Sequence, residues 1–324
     1  MMYLMVAGGL IVLLVGGDIL VRGAVALAQR LGVTPLVIGL TVVGFGTSAP
    51  ELVVSVNAAL DNAPEIAIGN VVGSNIANVL LVLGLPALIY PIACSAGGLR
   101  RDNGLMVLIS LAFVVICLRG VVDRPTGAAM LAVLFGFLFW SYYNALRSNG
   151  GADAIADEIR DLAGRSRSLG MSLGLAAIGL TGLVIGAKLL VDGAVAIARA
   201  AGLSEAVIGL TLVAVGTSLP ELATSLVAAI RRQGDIAIGN VVGSNLFNIL
   251  GIMGVTAMVR PIPVPVAFQI FDLWVMLGVA LLPLPFIWRG TAIGRRTGGA
   301  MLALYAAYVF LLLRGVAGGG EMVL

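Results

Sequence analysis

The sequence predicts an all-α polytopic membrane protein: ten transmembrane helices arranged as two inverted five-helix repeats. Three observations carry this. Of 324 residues, 60% are hydrophobic and only 11% charged, whereas a soluble domain needs a far more charged surface. Apolar runs of about 20 residues recur, the length that crosses the hydrocarbon core as a helix. The chain also matches itself at one fixed shift, residues 20–32 aligning with 190–202.

The apolar runs give ten spans, at roughly 3–29, 35–59, 66–89, 104–118, 126–146, 170–198, 205–230, 236–258, 268–288 and 297–313. The first is too long for a cleaved signal peptide and carries Asp18 and Arg22 too deep. The 44 glycines suit membrane helices. Loops on the side of loop 1–2 carry twelve arginines, from Arg30 to Arg296; the other side carries five, Arg119, Arg124, Arg199, Arg260 and Arg314. Basic loops stay in the cytoplasm, so both termini are expected outside a plasma membrane. The net charge of +3 then calls for no nucleic acid. Cys94 and Cys117 fall at opposite ends of spans 3 and 4, beyond disulfide reach. The chain has no histidine, the commonest proton shuttle and metal ligand.

The self-match covers three blocks at the same shift. LVRGAVALAQRLG (20–32) pairs with LVDGAVAIARAAG (190–202), VIGLTVVGFGTSAPEL (37–52) with VIGLTLVAVGTSLPEL (207–222), and IAIGNVVGSNIANVL (66–80) with IAIGNVVGSNLFNIL (236–250). An odd number of spans per copy inverts the second copy, an architecture that places a transport site at the repeat interface. The expected units are residues 1–146, a polar cytoplasmic linker 147–169 that can hold a short helix, and residues 170–324.

Ionisable residues at membrane depth are costly and mark functional sites. Asp18 and Arg22 on span 1, and Lys188 and Asp192 on span 6, can each neutralise one another four residues apart; a structural role is expected for them. Asp272 on span 9 has no obvious partner. Glu51 and Glu221 have no basic residue within two turns, and both sit in GTSxPE. The proline breaks the helix there and frees carbonyls, which is tolerated at this depth only inside protein or along a cavity. Thr47 and Thr217 precede the glutamates by four residues, so hydroxyl and carboxylate are expected to point one way. Spans 3 and 8 repeat GNVVGSN. Ser74 with Asn78, and Ser244 with Asn248, are expected to be ligands; Asn70, Asn75, Asn240 and Asn245 are expected to hold helices together.

This set offers carboxylate, carbonyl, hydroxyl and amide oxygens, without sulfur or imidazole. It suits hard cations, and Ca²⁺ takes six to eight such oxygens. Two ionised glutamates balance one Ca²⁺. A rival load of Na⁺ could not share the cluster, because repulsion at low dielectric is severe.

With both GTSxPE and both GSN segments in order, the sequence resembles the sodium/calcium exchangers of the calcium/cation antiporter superfamily. The resemblance covers spans 1–3 and 6–8. It implies an antiporter, not an enzyme, with no cofactor, moving Ca²⁺ against Na⁺ within the lipid bilayer and needing no obligate protein partner. It also implies Ca²⁺ at Glu51 and Glu221 with the carbonyls of Thr47 and Thr217. Sodium sites would use Ser48, Ser74 and the carbonyl of Gly44 in one half, and Ser218, Ser244 and the carbonyl of Ala214 in the other. Asn78 and Asn248 would lie between, and spans 1 and 6 would slide to alternate access. Many relatives carry aspartate at one or both asparagine positions; two asparagines weaken the case for K⁺ co-transport.

Two other functions remain open on the residues alone: H⁺/Ca²⁺ exchange, since paired carboxylates can take up a proton, and a cation channel with an acidic filter. The small linker and high Gly and Ala content point to a prokaryote.

Overall fold

The fold, a computed structural model, is described for residues 1–94, 98–147, 168–200 and 214–313. The linker and the first part of span 7 lie outside these residues. Six helices among them are long and apolar enough to cross a membrane: Met2–Leu31, Pro64–Ile89, Arg124–Ser141, Leu169–Ile197, Gly234–Val259 and Phe268–Arg289. Pro35–Thr47 and Ala49–Leu60, bent by 44°, make a seventh if taken as one span. Ten were expected. The helices at spans 4 and 10, Leu99–Cys117 and Arg295–Leu313, spend their first turn on Arg100, Arg101 and Asp102 or on Arg295 and Arg296, which shortens their apolar length.

Chain order begins with α1 (Met2–Leu31). Next come α2 (Pro35–Ile38), a π-turn segment Gly39–Val43, α3 (Gly44–Thr47) and α4 (Ala49–Leu60). α5 (Pro64–Ala77), a π segment Asn78–Val82 and α6 (Gly84–Ile89) form one run; α7 (Leu99–Cys117) and α8 (Arg124–Arg147) follow. The second half holds α9 (Leu169–Ala200), α10 (Ala214–Thr217), α11 (Leu219–Ile230) and α12 (Gly234–Leu246). It continues through a π segment Phe247–Ile252, α13 (Met253–Val259), a π segment Phe268–Asp272, α14 (Leu273–Leu281), α15 (Leu284–Arg289) and α16 (Arg295–Leu313).

The backbone repeats at the sequence's own shift. Ser48, at φ −84° and ψ 8°, interrupts the helix between α3 and α4; Ser218, at −85° and 6°, does so between α10 and α11. Each is followed within two residues by the proline that forbids an unbroken helix. Asn62 and Arg232, the turn residues after α4 and α11, both take positive φ, 62° and 59°.

α1 and α9 pack antiparallel along most of their length. Their seam is built from glycines at seven-residue spacing: Gly9, Gly16 and Gly23 on α1, and Gly179, Gly186 and Gly193 on α9. A Cβ on Gly9 would lie 2.5 Å from Leu190 N, one on Gly186 2.6 Å from Leu13 N, and one on Gly23 2.7 Å from Ala176 N. Backbone touches backbone, the small-residue packing that replaces hydrophobic drive in lipid. α12 is buried throughout apart from its first two residues and runs through the middle of the molecule. Five of the described loops gather at two ends. At one, Ile92 bridges Ile293, Arg232 lies over the Tyr90 ring and Gly234 sits beside Ala93. At the other, Val121–Val122 pairs antiparallel with Ile262–Pro263.

Candidate cation-binding site

Glu51 and Glu221 are each 1% exposed, although each lies in the first turn of a broken helix. They are brought near enough to feel one another's charge. Among the described residues no ion pair reaches either carboxylate. Asparagines of the neighbouring helices anchor the backbone beneath them. Asn70 Nδ2 donates to the Glu51 carbonyl at 3.0 Å and to Ser55 Oγ at 2.9 Å; Asn240 Nδ2 donates to the Glu221 carbonyl at 3.3 Å and to Ser225 Oγ at 3.0 Å. These two asparagines thus tie each glutamate's own carbonyl to the next helix.

The hydroxyls cross between halves. Ser48 Oγ donates to Glu221 Oε1 at 2.8 Å, and Thr47 also lies beside Glu221. Thr217 and Ser218 lie beside Glu51. Helical spacing alone pairs Thr47 with Glu51; instead Thr47 Oγ1 turns back on the Val43 carbonyl at 3.0 Å and meets Asn240 Oδ1 at 3.2 Å. The grouping by halves is likewise crossed: Ser244 Oγ donates to the Gly44 carbonyl, 3.3 Å away. Ser74 is buried at 5% exposure, and Ala214 opens the short α10.

Six buried oxygens in this cluster make no hydrogen bond of good geometry: both of Glu51, Oε2 of Glu221, Oδ1 of Asn78, Oδ1 of Asn248 and Oγ of Ser218, although Thr217 and Ser218 stand beside Glu51. A buried acceptor left unpaired is costly, and a buried carboxylate far more so. Their donor set is all oxygen, with two carboxylates, and fits a hard cation.

Outside this cluster, the pair Asp18 and Arg22 is joined by Arg231, which also holds Asp18. Asp272 has a partner after all: Tyr308 Oη donates to it at 2.9 Å. Both free cysteines are buried.

The sodium/calcium exchanger protein family matches this chain twice, over residues 1–143 and 171–314. The chain is similar to the putative antiporter CaxA of Alkalimonas amylolytica, at 35% identity over 94% of this chain and 96% of that one. It is 33% identical to the sodium/calcium exchanger MaX1 of Methanosarcina acetivorans, over 96% of this chain and 98% of that one. The solved structure of the sodium-calcium exchanger NCX_Mj soaked with zero Na⁺ and Ca²⁺ superposes with a TM-score of 0.82 at 37% identity, covering 95% of this chain and 97% of that one. A polytopic helical chain of this kind is a membrane cation antiporter, not an enzyme, and its ions are substrates, so no cofactor is involved. The chain belongs to the sodium/calcium exchanger family.

Proposed function

We propose that this chain exchanges Ca²⁺ for Na⁺ across the plasma membrane by alternating access, at a site centred on Glu51 and Glu221. The single observation that carries this is the cluster of buried oxygens around two carboxylates that no ion pair reaches among the described residues. Their charge of −2 balances one Ca²⁺. Thr47 and Thr217 carbonyls would complete its shell. Ser48, Ser74, Ser218, Ser244 and the carbonyls of Gly44 and Ala214 supply the surrounding sodium oxygens. The antiparallel packing of α1 on α9, each the first helix of its copy, supports inverted repeats of five spans. The sorting of loops to two ends supports the alternation of spans, and the arginine-rich loops of one end support termini on the outside. In proteoliposomes, ⁴⁵Ca²⁺ uptake is expected under an outward Na⁺ gradient. Uptake driven only by a pH gradient would assign H⁺ as the partner instead, and flux independent of any gradient would make the protein a channel.

Alternation is supported by an asymmetry between positions that the repeat makes equivalent. Ala223 and Thr224 on α11 are 7% and 0% exposed; their counterparts on α4, Val53 and Val54, are 59% and 37% exposed. α1 packs along α11, with Gly17 against Ala223 and Val227, whereas α9 has no comparable packing on α4 among the described residues. One side of the site is covered and the other is not. Asp18 on α1 is clamped by Arg231 just past α11. Their counterparts at the repeat shift are Lys188 and Asp61, a pair with the signs reversed. Here Lys188 is 77% exposed and, among the described residues, pairs with Asp192 alone, at 3.8 Å, and Asp61 is exposed. Sliding the α1–α9 pair would part the first ion pair and let the second form.

Maleimide labelling reads this balance. Asn57→Cys on α4 is expected to label fast and Val227→Cys on α11 slowly. Background is low, since burial pushes the Cys94 thiol up to about 11. Arg231→Ala is expected to speed labelling at 227 and slow it at 57 by up to about fivefold, the worth of a part-exposed ion pair. Asp61→Asn should act in the opposite sense. Equal shifts in both variants would refute the exchange of ion pairs.

A further inference from the structure

Asn78 and Asn248 each keep a buried oxygen without a hydrogen-bond partner, and a short relay behind each explains why it is the oxygen and not the amide nitrogen. Asn78 Nδ2 donates to Asn245 Oδ1 at 3.0 Å, and Asn245 Nδ2 reaches Met106 Sδ at 3.5 Å. In the other direction Asn248 Nδ2 donates to Asn75 Oδ1 at 3.2 Å, and Asn75 Nδ2 reaches Met276 Sδ at 3.7 Å. All six side chains are buried. The two methionines, on α7 and α14, stand at the repeat shift of the asparagine blocks, which extends the self-match into spans 4 and 9.

The order of donors follows from chemistry. A thioether can accept a hydrogen bond but has no proton to give. The amide beside it must therefore present its NH₂ group to the sulfur. That leaves its oxygen facing the next asparagine, which must donate in turn, and whose own oxygen is left for the site. Reversing the amide beside the sulfur would set oxygen against sulfur and NH₂ against NH₂; reversing the next one would set oxygen against oxygen and aim an N–H donor at a cation. In a dry interior each such mismatch leaves polar atoms unpaired.

We infer that Met106 and Met276 are positioning residues for ion binding: through Asn245 and Asn75 they fix the Asn78 and Asn248 carbonyl oxygens toward the ion. Each methionine acts on a ligand of its own repeat copy through an asparagine of the opposite copy, so each relay crosses between the halves and back. The inference rests on the Glu51 and Glu221 site proposed above.

The test is ⁴⁵Ca²⁺ binding to the purified protein, with Na⁺ as competitor, in three forms: unaltered, Met106→Leu with Met276→Leu, and Met106→Gln with Met276→Gln. Leucine keeps the volume and removes the acceptor; glutamine keeps an acceptor at similar reach. The leucine form is expected to need roughly five- to tenfold more Ca²⁺ for half-saturation, the worth of one or two orienting hydrogen bonds. Its Ca²⁺-free melting temperature should stay close to that of the unaltered protein, and the glutamine form should recover most of the affinity. If the double leucine form does not fold, the single substitutions are measured, each with a smaller loss of the same sign. Unchanged half-saturation in the leucine form, or equal loss in leucine and glutamine forms, would overturn the relay while leaving the site intact. Failure of the unaltered protein to bind Ca²⁺ would overturn the site itself, and the relay with it.

Discussion

Glu51→Gln or Glu221→Gln is expected to abolish Ca²⁺ uptake, with a loss of Ca²⁺ affinity of roughly a thousandfold. The two carboxylates stand in a cluster where, among the described residues, no basic residue pairs with either. Glutamine keeps the shape and one oxygen but removes a unit charge from beside a divalent ion. At an effective dielectric near 20, one charge pair about 4 Å apart is worth about 4 kcal/mol, close to three decades. The same substitution should leave the ion-free protein at least as stable as before, because it relieves repulsion between two buried acids. The paired measurement is thermal unfolding with and without Ca²⁺. Saturating Ca²⁺ should raise the melting temperature of the unaltered protein, since a ligand at a hundred times its Kd contributes about 2.7 kcal/mol, and should leave both variants where they were. Normal exchange in either variant, or an ion-free melting temperature that collapses, would refute the assignment of these acids as the ion site.

The helix breaks were legible because proline acts on its own local geometry. GTSxPE in both copies told that the helix stops before the glutamate, and Ser48 and Ser218 do leave helical geometry there. That both glutamates are buried without an ion pair among the described residues was legible, because no basic residue lay within their own helix to neutralise them. The crossing of hydroxyls was not legible. Ser48 serves Glu221, 173 residues away, and local spacing can only propose partners one turn off. Arg231 on Asp18 and Tyr308 on Asp272 were hidden for the same reason. The methionine relays had a weaker sequence signal: Met106 and Met276 stand at the repeat shift, but apolar residues in apolar spans carry no contrast until an asparagine is seen against them. The span count was read from hydropathy, which does not register that charged first turns and a kinked helix shorten the apolar length.

Gly16→Leu and Gly186→Leu are expected to stop transport, each alone. The seam between α1 and α9 has no room for a side chain: a Cβ on Gly16 would sit 2.9 Å from Leu183 N, and one on Gly186 2.6 Å from Leu13 N. The obstructing atoms are backbone, so they cannot rotate aside, and relief requires the helices to separate. Separation matters because the proposed motion carries α1 and α9 as one body, with Gly17 and Asp18 on α1 meeting α11. A pair pushed apart would lose both the close backbone packing that joins it in lipid and its register on α11. Overpacking of this kind costs about 1–3 kcal/mol or more, so some loss of folded protein is expected alongside lost transport. Gly8→Leu and Gly174→Leu separate a seam effect from a general effect of leucine. They lie on the same two helices, and a Cβ at either meets nothing within 4 Å. Both should transport normally. If all four variants behaved alike in ⁴⁵Ca²⁺ uptake at matched amounts of folded protein, the seam would not be what couples the two moving helices.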